Sequence, residues 1–60
     1  MDNFMKGILS RVLSEEIQNQ MKWKEQDKGF GFPDDVLEHR DDNIKRIRQF
    51  MHENNIEEQR

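Results

Sequence analysis

The sequence predicts an all-α fold, an antiparallel two-helix hairpin that dimerises into a four-helix bundle. Apolar residues recur at steps of three and four along both halves of the chain, which is the spacing of amphipathic helices. Between the two halves lies a break that contains glycine and proline, residues 27–33 (DKGFGFP). Two stripes of similar length joined by such a break indicate a single domain in which the helices fold back on each other.

The first helix is expected over residues 2–28. Asp2 and Asn3 carry side chains that can accept a hydrogen bond from the free backbone N–H groups of a first turn. Gly29 suits the left-handed residue that closes many helices. The turn is therefore expected at residues 29–32.

The second helix is expected over residues 33–54. Pro33 suits the first helical position, where its missing N–H is harmless. Asp34 and Asp35 then lie at the positive end of the helix dipole. Residues 55–60 have no apolar periodicity, and a frayed tail is predicted for them.

Self-association is predicted from the balance of apolar surface. A chain of about 60 residues hides only about 60% of its unfolded surface, and this chain has no Cys with which to form a disulfide. The apolar residues of the first helix cover about half its circumference, more than one partner helix can bury. A two-fold homodimer is the commonest solution, and its predicted interface is Phe4, Met5, Ile8, Leu9 and Val12.

An ion pair is predicted between Glu16 and Arg40, each of which interrupts the apolar stripe of its helix. A charged pair in a helical seam fixes the register of the helices at some cost in stability. The alternative is that Arg40 lays its methylene groups along the core and extends its guanidinium into water.

Trp23, Phe30 and Phe32 cluster at the predicted turn, bordered by Asp34 and Asp35. Exposed aromatic residues of this kind are enriched at protein interfaces, so these five residues form the predicted partner-binding site. The alternative is an aromatic plug that covers the open end of the hairpin. The two interpretations are compatible if one ring turns inward and another outward.

A basic segment, Lys45, Arg46 and Arg48, supplies the alternative function, in which a helical-hairpin dimer binds nucleic acid through its phosphates. Asp41 and Asp42 lie four residues before Lys45 and Arg46, the order that favours salt links along a helix. A neutralised, solvated face is therefore the competing interpretation. The formal net charge of −3 also opposes contact with nucleic acid.

The composition argues against other classes of protein. No catalytic residue, metal site or cofactor is expected, because Cys and Tyr are absent, the two His residues lie on different faces, and no Gly-rich phosphate loop precedes a helix. No apolar run approaches the roughly 20 residues of a membrane span. These features predict a cytoplasmic protein that is not an enzyme.

The predicted function is a small protein-interaction module, a regulator or inhibitor that binds and occludes a larger protein. A short chain with no cofactor motif acts most simply through contact. Charge-rich chains of this size are frequent among viral and plasmid accessory proteins.

Overall fold

Two helices pack against each other in an antiparallel hairpin, as the sequence predicted. The computed structural model describes residues 2–59. Helix α1 spans Asn3–Gly29 and helix α2 spans Asp34–Glu53. The molecule measures 43 × 17 × 13 Å, so α1 runs along nearly its whole length. Within the described residues, neither helix combines the length and the apolar character needed to span a membrane.

Helix α1 begins with a side-chain cap and ends in a hydrogen-bonded turn. The Asp2 carboxylate accepts a hydrogen bond from the backbone N of Met5 at 2.7 Å. At the other end, the N–H of Gly31 donates to the carbonyl of Lys28 and the N–H of Phe32 donates to that of Asp27, both at 3.1 Å. This pair of bonds is the Schellman motif.

The left-handed residue of that motif is Gly31, with a φ of +78°. This role was predicted for Gly29, which is instead the last residue of α1. The helix includes Gly29 because one glycine costs only about 1 kcal/mol inside a helix. Gly31 takes the left-handed conformation without a steric penalty.

A second Schellman motif ends α2. The N–H of Asn55 donates to the carbonyl of His52 at 3.2 Å, and that of Ile56 donates to the carbonyl of Met51 at 2.8 Å. Asn55 has a φ of 54°, and Asn is among the few residues other than Gly that adopt this conformation readily. Ile56 and Met51 are both buried in one cluster, which is the apolar contact that commonly accompanies the motif.

The tail beyond α2 lies along α1, which differs from the predicted frayed end. The Ser10 hydroxyl donates to the carbonyl of Glu57, and the N–H of Gln59 donates to the Ser14 hydroxyl at 2.8 Å. Burial of Ile56 supplies the apolar contact that holds the segment down. Residue 60, the last of the predicted frayed segment, lies outside the described residues.

The apolar core lies in the half of the hairpin away from the turn. A cluster of four buried side chains joins α1, α2 and the tail: Ile17, Ile44, Met51 and Ile56. Half-buried neighbours pack around this core cluster: Leu9, Leu13, Met21 and Ile47. Burial of one such aliphatic side chain contributes about 1.5–3 kcal/mol. The core cluster is therefore the main apolar link between the three segments.

The half of the seam near the turn is held by polar side chains. Asn43 donates to Gln20 at 3.3 Å, and Lys24 donates to both carboxylate oxygens of Asp41 at 3.0 Å. Arg40 donates to Asp27 at 2.9 Å. The α1 members of these bonds are therefore residues 20, 24 and 27. These three α1 positions continue the alternating three- and four-residue step from Ile17. One face of α1 therefore changes from apolar to polar toward the turn.

Replacing Ile56 tests whether the tail belongs to the core. We expect Ile56→Ala to lower the free energy of unfolding by about 2–4 kcal/mol, because it removes a buried aliphatic side chain. Urea unfolding followed by circular dichroism at one fixed protein concentration measures this change. Glu57→Ala is the matched control, expected to stay within about 0.5 kcal/mol because its side chain is exposed. Equal effects of the two substitutions would contradict a docked tail.

Candidate partner-binding surfaces

The exposed aromatic pair at the turn consists of Phe30 and Phe32. Their side chains are 77% and 48% exposed, and their ring centroids lie 5.9 Å apart with the planes tilted by 46°. The Schellman motif places them on either side of Gly31 and holds the backbone between them. Two large rings are thus presented together at one end of the molecule instead of being folded into the core.

Trp23 lies beside this end in a different environment. It is half-buried, and the guanidinium carbon of Arg40 lies 5.4 Å from the centroid of its ring. That distance is within the range of a cation–π contact. Of the predicted aromatic cluster, Trp23 therefore packs against the protein, whereas Phe30 and Phe32 are exposed to solvent.

Asp34 and Asp35 are exposed in the first turn of α2, directly after the aromatic pair. Pro33 caps the helix without a side-chain hydrogen bond, so these two carboxylates provide the negative charge at its positive end. We call Trp23, Phe30, Phe32, Asp34 and Asp35 the turn surface. It is apolar at its centre and acidic at its edge.

Arg40 pairs with Asp27, and the predicted pair with Glu16 is wrong. Arg40 Nε donates to Asp27 Oδ2 at 2.9 Å, and the Asp27 side chain is only 10% exposed. Glu16 instead accepts a hydrogen bond from Gln20 of its own helix at 2.9 Å. Arg40 lies less than two turns from the start of α2, level with the last turns of α1, whereas Glu16 is about 16 Å further along.

A second exposed apolar surface lies near the start of α1. Four residues form it, with exposed fractions of 74%, 44%, 41% and 52%: Phe4, Met5, Ile8 and Val12. We call this set the N-terminal stripe, because Phe4, Ile8 and Val12 follow at four-residue steps along one face. All four were predicted interface residues. The fifth, Leu9, is half-buried and packs against the core cluster.

The two apolar surfaces lie at opposite ends of the hairpin. Ile8 and Phe30 are 22 residues apart in sequence, which corresponds to about 33 Å along a helix axis. Contact at one surface therefore leaves the other accessible.

The basic segment of α2 is exposed and partly engaged by carboxylates. Lys45, Arg46 and Arg48 are all exposed. Arg48 forms a two-pronged ion pair with Glu58 of the tail at 2.8 and 3.1 Å, and this hydrogen bond raises the pKa of Arg48. The Asp41 carboxylate accepts from Lys24 of the other helix, whereas the four-residue spacing in sequence had favoured a link with Lys45.

Among the described residues, the surface grooves are open and the carboxylates do not converge on a common point. No three His, Asp or Glu side chains among residues 2–59 are close enough to hold a metal ion. One groove runs between α1 and the tail, lined by Arg11, Ser14, Glu15, Gln18, Asn19 and Gln59.

Two features were missed by sequence reasoning. No structural role was predicted for Ser10 and Ser14, but both are buried and form hydrogen bonds with the tail. The two serines are four residues apart on the face of α1 that includes Ile17. This spacing could have indicated a docked segment, because small side chains leave room for the backbone of another segment. The burial of Asp27, near the end of α1, was also not predicted.

No protein-family model matches the chain, and no curated protein or solved structure is significantly similar to it. Function is therefore inferred from the two exposed apolar surfaces and from the charges around them.

A double-mutant cycle on Asp27 and Arg40 tests the corrected ion pair. We expect a coupling energy of about 1–2 kcal/mol between Asp27→Asn and Arg40→Gln, because the pair is hydrogen-bonded and Asp27 is buried. Urea unfolding of the wild type, both single variants and the double variant gives this value. The matched cycle of Glu16→Gln with Arg40→Gln is expected to be additive within about 0.5 kcal/mol. A larger coupling in the Glu16 cycle would contradict the assignment.

Proposed function

We propose that this chain is a homodimeric protein-interaction module of the cytoplasm, which regulates or inhibits a larger protein by covering part of its surface. The observation that supports this most strongly is the placement of exposed apolar groups at both ends of the hairpin. Only four apolar side chains among residues 2–59 are buried, while seven large ones are well exposed. Contiguous exposed apolar patches favour association with another surface.

The N-terminal stripe is assigned to self-association. Its residues lie on one helix face, so one flat apolar surface of a second copy can cover them together. Burial of this stripe adds apolar contact to a chain whose own core is small. A closed two-fold dimer uses the same surface on both copies, so one contact covers both stripes.

The turn surface is assigned to the larger partner. Phe30 and Phe32 are large and lie on a hydrogen-bonded turn. Aromatic side chains of this kind contribute most to binding when they enter a pocket. Asp34 and Asp35 border them. The matching site on a partner is an apolar pocket edged by basic side chains, since complementary charge guides association.

The shape of the turn surface favours a mode of action in which the module blocks a site on the partner protein. The turn surface projects from the end of the molecule and can fill a concave site on another protein. A module that fills such a site prevents its usual ligand from entering.

Binding of nucleic acid is the competing function, supported by the exposure of Lys45 and Arg46. The Arg48 guanidinium is already bonded to Glu58, and the formal net charge is −3. Fewer positive charges are therefore available for phosphates than the sequence alone indicated. We rank this function second.

Affinity capture from a lysate of the source organism, with quantified binding of the captured species, tests the proposal. Phe30→Ser is expected to weaken protein binding by about 30-fold or more, the loss typical of a central aromatic anchor. The matched control is Phe50→Ser, which removes a 44% exposed phenyl ring from α2 away from the turn. It is expected to bind like the wild type.

Two outcomes would contradict the proposal. One is a protein prey that Phe30→Ser retains in full. The other is a captured species that is nucleic acid, released steeply by added salt and lost in a Lys45→Glu, Arg46→Glu double variant.

A further inference from the structure

The tail docks onto α1 through its backbone. The buried Ser10 hydroxyl donates a hydrogen bond to the carbonyl of Glu57, and the N–H of Gln59 donates to the buried Ser14 hydroxyl at 2.8 Å. A carbonyl and an N–H two residues apart lie on the same edge of an extended chain. The two serines are four residues apart, so they are neighbours on the helix surface and can reach that edge together. Contacts to the backbone hold an extended segment whatever its side chains are.

Two side chains of the tail add selectivity. Ile56 is 6% exposed and belongs to the core cluster, and the Glu58 carboxylate forms the two-pronged ion pair with Arg48. Residues two apart point to the same side of an extended chain. Glu57 and Gln59, at the alternate positions, are exposed. The tail is therefore held as an aliphatic residue that is followed two positions later by a carboxylate.

The groups that receive the tail belong to the two helices. We call them the tail groove: Ser10, Ser14 and Ile17 of α1, with Arg48 and Met51 of α2. An open groove continues from Gln59 along α1 past Gln18 and Asn19. A segment that extends further along α1 than Gln59 can therefore gain additional contacts there.

The tail is held by few groups, but its place cannot be left empty. Ile56 is the one buried side chain among residues 54–59, and the ion pair of Glu58 with Arg48 is partly exposed, so it contributes little net stability. Segments with few buried contacts open at a lower free energy than the core. Removal of Ile56 leaves a cavity beside the other three side chains of the core cluster. A competing segment must therefore bring an aliphatic side chain of its own.

We propose that the tail groove is a second partner-binding site, which the tail occupies in cis as an autoinhibitory strap. Its ligand is an extended segment of another protein, with an aliphatic residue followed two positions later by Asp or Glu. That segment displaces the tail, fills the place of Ile56 and pairs with Arg48. The inference does not depend on the turn surface or on the proposed homodimer.

The short link between α2 and the tail disfavours the tail of a second copy as the ligand. Only Asn54 and Asn55 separate the end of α2 from Ile56. A second copy could therefore insert its tail only with the two α2 C-terminal ends packed together. The negative ends of two helix dipoles and two Glu53 side chains would then meet, which is unfavourable.

Methyl NMR of the wild-type chain tests the displacement. The probe is a capped peptide of residues 54–59 (NNIEEQ), added at about 1–10 mM because a tethered segment competes at an effective concentration of about this order. We expect the Ile56 methyl signals of the chain to move toward those of solvent-exposed isoleucine, while the Ile17 signals keep buried values. The same peptide with Ile56→Ser is the control and is expected to leave both sets unchanged.

A full-chain Glu58→Arg variant loosens the tail without altering the tail groove. We expect it to bind the probe peptide about threefold or more tightly than the wild type, because loss of an exposed ion pair weakens the competing tail by a factor of this order. Glu57→Arg is the matched control, since it changes the charge equally at an exposed neighbour. It is expected to bind like the wild type. Circular dichroism shows that both variants have folded.

The outcomes decide between the possible occupants. Movement of the Ile56 signals with the isoleucine peptide alone, together with tighter binding by Glu58→Arg, supports the strap. Unmoved Ile56 signals, or equal affinities of Glu58→Arg and Glu57→Arg, overturn it. Displacement of the peptide by added wild-type chain, with sedimentation showing a dimer that the peptide dissociates, assigns the groove to the tail of a second copy and overturns the proposed ligand.

Discussion

Burial of Ile17 against residues from α2 and the tail is the contact on which the rest of the structure depends. The core cluster is the place where three segments of the chain meet: α1, the second half of α2, and Ile56 of the tail. With so few buried side chains, each is a large share of a marginal stability. The position of this cluster, away from the turn, decides which parts of the surface remain free to bind.

The turn half of the hairpin is held by a different kind of interaction. Lys24 with Asp41 is a partly exposed ion pair, which contributes little net stability. The attraction of Arg40 for the buried Asp27 is largely offset by the cost of removing that carboxylate from water. The directional geometry of the two pairs fixes which residues of α1 and α2 lie opposite each other. The same geometry holds Arg40 over Trp23. The Phe30–Phe32 pair thus lies at an end of the molecule whose helix register is well defined but whose contacts contribute little stability.

Helices were predictable from sequence because their signals are local, whereas contacts between segments were not. Periodicity and the Asp2 cap are properties of neighbouring residues. The partner of Arg40 depended on how the turn positions α2 beside α1, which no pattern of neighbouring residues specifies. The burial of Ile56 was not predicted because a single apolar residue in a polar tail shows no periodicity. It follows from the Schellman motif, in which Asn55 takes a left-handed conformation. The exposed stripe and aromatic pair were found because their residues are near in sequence.

Native-state hydrogen exchange tests the central claim most directly. Amides of residues 13–17 and 44–51, around the core cluster, are expected to exchange only through global unfolding. Amides of residues 22–27 and 37–41, in the polar half, are expected to open at a free energy lower by at least about 1.4 kcal/mol, which is tenfold faster exchange. Equal protection of the two halves, or stronger protection near the turn, would contradict the account.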